Sequence, residues 1–166
     1  MSFGPALALG MEGHDEVLEF RSRSIFSPEE FLERINSRLP EGVRAHSLQC
    51  LESDAPTLSE SLVSMTFSLK LEDDRIVGAL SSLQGDAAYD GLTERAVLER
   101  RVAEYMTGSG NENSARLELE QDRLRLLIPI GPGKNPRPQD IVERLLRLPN
   151  PAFYLTREGM TLNEGA

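Results

Sequence analysis

The sequence predicts an α+β fold, and three observations carry that prediction. SESLVSMTFSLKLE alternates with the period of a strand: Val63, Met65, Phe67, Leu69 and Leu71 share one face, Ser64, Thr66, Ser68 and Lys70 the other. FSPEEFLERINSRLP instead repeats at helical spacing, with Phe31, Leu32, Ile35 and Leu39 on one side. RLELE and RLRLLIPI flank a Gln121-Asp122 turn, which predicts an antiparallel hairpin in which Leu117 and Leu119 face Leu124, Leu126 and Ile128. With 166 residues, 39% hydrophobic and 27% charged, the chain can bury a core, and its composition excludes a disordered chain or a collagen.

The apolar opening, SFGPALALG, lacks a basic flank and is too short to span a bilayer, so it reads as a strand over Ser2 to Leu9. HDEVLEFRS follows as a second strand, with Leu18 and Phe20 on one face. The first helix has a full start signal. Ser27 is the N-cap, Pro28 occupies the first helical position, Glu30 completes a capping box, and Phe26 staples to Phe31. Pro40 and Gly42 end it, and VRAHSLQCL, Val43 to Leu51, is expected to be a strand. After the best strand, Glu72-Asp73-Asp74 reads as a solvated turn, residues 76 to 91 are weakly patterned, and Thr93 to Met106 forms a helix with Val97, Leu98, Val102, Tyr105 and Met106 inward. TGSGNENS is a polar loop before the hairpin. PQDIVERLLRL is an amphipathic helix burying Ile141, Val142, Leu145, Leu146 and Leu148, stopped by Pro149, and PAFYLTRE closes the chain as a strand.

Two of these stretches are copies of one device. VLEFRSRSIFSPEEFLERI (17–35) aligns without gaps on LIPIGPGKNPRPQDIVERL (127–145), matching Pro28 to Pro138 and Glu33-Arg34 to Glu143-Arg144. The second copy, with the elements before it, gives the order β-α-β-β-α-β, which is ferredoxin-like. The first gives only β-β-α-β. The expected architecture is therefore a tandem of ferredoxin-like units, antiparallel sheets with helices on one face, the first unit incomplete. Residues 1–55 would form the incomplete unit, 56–160 the complete one, and 161–166 a tail.

Charge and side-chain inventory narrow the chemistry. The net charge of −9 repels nucleic acid and anionic membrane as a whole, although residues 116–147 carry seven basic and five acidic residues, a local sum of +2. Sixteen of the eighteen cations are arginine, the side chain suited to bidentate contact with phosphate or carboxylate. One cysteine, Cys50, excludes an intrachain disulfide and a cluster held by several cysteines; it reads as a partly buried structural thiol, compatible with a reducing cytoplasm. His14 reads as a surface residue and His46 as a strand residue, too few for a zinc set. No catalytic constellation, metal site or cofactor is expected. One stretch could bind an anion or a partner: in IGPGKNPRPQDI, Gly131 and Gly133 permit a tight turn, Lys134 and Arg137 supply cations, and a helix N-terminus follows. It is not a P-loop, because no Ser or Thr follows the lysine.

SFGPALALG, SPEEFLERINSRLPEGVRA, GPGKNPRPQDIVERLL and the later Arg157 together resemble the radical-SAM-linked protein family of unknown function. Members of that family occur alone or as the C-terminal part of cobalamin-binding radical-SAM proteins, and are associated with bacterial genes for ribonuclease E/G and ribosomal proteins. The family's opening strand and helix are missing here, so the resemblance implies an N-terminally truncated relative; its basic middle stretch is also missing. It further implies a cytoplasmic, non-catalytic accessory or substrate-recognition domain, partnered in cis or in trans by a radical-SAM protein, with RNA as a second partner. Two other readings stand beside it. Fold analogy with CRISPR repeat-processing endonucleases gives a metal-independent RNA-processing enzyme, which needs His14 or His46 beside Lys134 and Arg137. An exposed sheet edge gives a structural domain that forms homo-oligomers.

Overall fold

A computed structural model describes residues 2–24, 26–108, 115–131 and 135–163. The elements are β1 (Ser2–Phe3), β2 (Glu12–Gly13), β3 (Leu18–Glu19), α1 (Pro28–Asn36), α2 (Leu58–Ser61), β4 (Leu62–Lys70), α3 (Asp74–Gln84), α4 (Glu94–Gly108), β5 (Arg116–Leu119), β6 (Arg123–Pro129), α5 (Pro138–Leu146) and β7 (Leu155–Leu162). Two 3-10 turns, Ala87–Tyr89 and Pro151–Tyr154, complete the set.

The main sheet has five strands in the order β2-β7-β4-β6-β5. Its four long members are antiparallel, and β2 joins β7 in parallel through Glu12↔Thr156 and Gly13↔Arg157. From β4 onward the chain runs β-α-β-β-α-β with α3 as an additional helix. The apolar face of β4 meets its partners in register, Phe67 opposite Leu126 and Leu69 opposite Leu124, and the hairpin sets Leu117 against Leu126. On that face pack Ile76 and Leu80 of α3, Leu98 of α4, and Ile141, Val142, Leu145 and Leu146 of α5. Leu148 is also buried, but it lies past the end of α5, which stops at Leu146 instead of continuing to Pro149.

The first half of the chain departs from expectation, and the tandem arrangement is not seen. The opening strand is reduced to Ser2–Phe3 and the second to Leu18–Glu19, and these two form a separate two-stranded sheet. Val43 to Leu51, expected to be a strand, is irregular. The Asn36 side chain explains part of this. Its Nδ2 donates to the Ala45 carbonyl (2.9 Å) and its Oδ1 accepts from the Ala45 N–H (2.8 Å), so a side chain takes both backbone groups that a ladder would use. His46 therefore lies in irregular chain, and Cys50 is exposed instead of partly buried. α1 forms where expected, with Phe26 and Phe31 ring centroids 5.6 Å apart and Phe20 stacked on Phe31 at 5.2 Å. Its cap is only half a capping box: the Ser27 hydroxyl accepts from Glu30 N–H at 3.5 Å and donates to Glu29 at 2.6 Å.

α1 and α5 begin and end 110 residues apart, Pro28 with Pro138 and Asn36 with Leu146, so the repeat seen in the sequence is reproduced at the level of the helix. Their surroundings differ. α5 buries five residues and α1 buries none. Among the described residues, every buried side chain lies between Leu58 and Arg157. Residues 4–57 are thus an arm laid over a domain whose core is built without them.

A helix replaces the turn and the weak stretch after β4. Asp73 caps α3, accepting from Arg75 N–H at 2.9 Å, and Ile76, Leu80 and Leu83 are its buried residues. The acidic run is a helix start, where carboxylates offset the free N–H groups and the positive end of the dipole.

Candidate functional site: the bulge on the closing strand

The residues singled out for anion or partner contact lie at the end of β6. Gly133 and Lys134 fall outside the described residues. Gly131 donates its N–H to Asn135 Oδ1 at 3.2 Å. Arg137 is the N-cap residue of α5, and its guanidinium is paired with Asp140 at 2.9 Å while 64% exposed. The arginine is thereby held beside the helix start, facing water.

A second, denser set of polar groups surrounds β7. Thr66 pairs with Gly159 and Phe67 with Arg157, which leaves Glu158 as an extra residue. Such a bulge shifts the register of the strand, while ordinary strand alternation sends the two neighbouring charges, Arg157 and Glu158, to opposite faces. Arg157 turns to the helix side, where it is 2% exposed. Its Nε donates to Glu16 Oε1 (2.8 Å), one Nη donates to Glu16 Oε2, and the other donates to the Pro5 carbonyl (2.6 Å) and rests 3.7 Å from Met65 Sδ. This is the bidentate geometry for which the planar guanidinium is suited. Gly13 leaves room for it, because a Cβ there would stand 2.3 Å from Glu16 Oε1.

Glu158 turns to the other face and accepts the Ser68 hydroxyl proton. His14 Nδ1 lies 3.5 Å from its second oxygen, and His14 Nε2 lies 3.9 Å from Glu12. The Ser68 hydrogen bond, followed by the positive side of His14 and Arg123, holds the Glu158 carboxyl below its ordinary value against the opposing effect of burial. A depressed folded-state pKa contributes stability that is present above the unfolded value and is lost as pH falls through the folded one. Glu158→Gln is therefore expected to lower the melting temperature at neutral pH and to converge with the wild type in acid, which flattens the acid-side fall; an unchanged acid slope would show that Glu158 does not contribute to it.

The order of groups decides what this cluster can do. A hydroxyl nucleophile needs a base in contact with its oxygen, and that base needs an orienting group behind it. Here the group in contact with the Ser68 hydroxyl is the Glu158 carboxylate with His14 behind it, and a carboxyl held below its ordinary value is a weak base for a hydroxyl proton. The cluster orders the sheet face and its strap. Among the described residues no group of three or more His, Cys, Asp or Glu side chains is arranged to hold a metal. No helix of the described residues is long and apolar enough to cross a membrane.

Sequence reasoning noted Arg157 through the family resemblance alone and passed over Glu16, Ser68 and Glu158. A bulge leaves no mark in a period-2 pattern until the partner strand is known. The available signal was an arginine in a closing strand otherwise suited to burial. Neither the curated proteins nor the solved structures yield a match. A family model does match, over residues 1–114, which takes in the arm with Glu16, the strand with Ser68, and α3 and α4. That span is more than half of the chain, which accordingly belongs to the DUF2344 family, described as an uncharacterized protein conserved in bacteria.

Proposed function

We propose that this chain is a recognition module that works beside an enzyme and does not itself make or break bonds. The observation that carries the reading is the placement of Glu158 between Ser68 and His14, an arrangement that ties polar groups together without activating a nucleophile. The proposed enzyme partner is a radical-SAM protein, in cis or in trans, on the strength of the sequence resemblance at the two ends of the chain. Contact is proposed through the stretch containing Gly131, Gly133, Lys134 and Arg137, with RNA or a ribosomal component as the shared substrate and the cytoplasm as the place of action. The proposed division is 1–55, 56–160 and a tail; the confinement of buried residues, among those described, to Leu58 and beyond supports the first boundary.

Geometry favours recognition over RNA cleavage. His14 lies beside Glu158, at the level of Ser68, whereas Gly131 follows the end of β6 where Pro129 pairs with Ser64. The four residues separating those levels on β4 amount to about 13 Å of strand. The reading is tested by affinity capture of the tagged full chain from its bacterial host. A co-purifying protein with a Cys-x3-Cys-x2-Cys segment, lost on Lys134→Ala/Arg137→Ala, is expected. Capture of no such protein by the wild-type chain overturns the proposed partner.

A further inference from the structure

We infer that the arm of one copy can latch onto the Arg157 site of a second copy, giving an arm-exchanged dimer in which each site is completed by the other chain's Glu16. Four observations point to this. No described residue from Gly4 to Thr57 is buried, so the arm has no core of its own to hold it in place. Its polar hold on the main sheet is concentrated at one spot, the two-residue β2–β7 pairing, the His14 N–H to Arg157 carbonyl bond (2.9 Å), and the Glu16 and Pro5 bonds to the guanidinium, beside Met11, which packs partly buried against the core. Arg157 is buried and needs an anion, but the chemistry does not specify which chain supplies it. Finally, Leu9, Leu18, Phe26, Val43 and Leu51 are large apolar side chains left exposed on the arm, so little apolar burial resists its detachment.

Exchange repeats in trans every contact now made in cis, so concentration decides between the two forms. The partner is a second copy because the arm already carries the complementary surface: a parallel two-residue strand and a carboxylate at the reach of Arg157.

The test uses the full chain with Cys50→Ser, Glu12→Cys and Thr156→Cys, placing thiols on a paired register position. Oxidation is expected to give a band of twice the monomer mass whose share rises with protein concentration. Charge reversal provides a second measurement. Glu16→Arg and Arg157→Glu each lose the pair within one chain, but a mixed dimer restores it at both sites. Mixing the two variants is expected to give a one-to-one dimer by native mass spectrometry that neither forms alone. Crosslinks confined within single chains at every concentration, or an equimolar mixture that stays monomeric, overturns the inference.

Discussion

Leu124→Ala is expected to cost about 3–4 kcal/mol of unfolding free energy, within the range for truncating a fully buried leucine. The same change at Leu32 in α1 should cost about 1 kcal/mol or less, in proportion to the smaller area it removes from water. Both are leucines in regular elements, and a reading from composition and periodicity would rank them together. The structure separates them. Leu124 is 0% exposed and sits opposite both Leu69 and Leu119, under the three packed helices. Leu32 is half-buried on a helix that buries nothing completely. Chemical denaturation of the two variants, read at the midpoint with the slope held constant, checks the ratio. Equal losses would mean that the arm shares the core's cooperativity. A loss at Leu32 confined to hydrogen exchange of residues 4–57, with the rest unaffected, would show the arm opening as its own unit.

This contrast also explains which parts of the fold could be read in advance. β4, the hairpin β5–β6 and α5 were legible because burial of one face imposes a period on their residues, and most core positions came out as expected; on β4, however, Val63 is exposed, and Ser64 and Ser68 are buried. α3 was missed although Ile76, Leu80 and Leu83 have helical spacing. Gly78, Ser81 and Ser82 lower its helix propensity, and packing against α4 overrides that weakness. The failures in the arm have another cause. HDEVLEFRS and VRAHSLQCL carry enough apolar residues to look like strands, but alternation marks a strand only where some surface lies against one of its faces. Without that surface, Asn36 captures the backbone groups of Ala45, so a side chain does there what a sheet would have done. The two matched stretches agree in the position of the helix and part beyond it, because a helix start is set locally while the sheet that buries a helix is not.

At the Arg157 latch, removing the acid should be more damaging than removing the base. Glu16→Ala leaves a guanidinium buried beside Met65 with the Pro5 carbonyl as its remaining oxygen partner, and is expected to cost about 2–3 kcal/mol. That is less than for a fully enclosed pair, because the Glu16 side chain is 40% exposed and water can enter where it stood. Arg157→Met leaves the carboxylate free to turn into solvent and places an apolar side chain near Met65, so the expected loss is about 1 kcal/mol. The double variant should then be more stable than Glu16→Ala alone, since the second change removes the stranded charge. Thermal melts of the three proteins give the coupling directly. Added salt should weaken that coupling only in part, because the guanidinium is shielded to 2% exposure while the Glu16 side chain is 40% exposed. Equal losses from the two single variants, or a double variant weaker than both, would mean that Arg157 is held by its packing and not by Glu16. The arm would then be placed by the β2–β7 pairing and by Met11 against the core, and not by the ion pair.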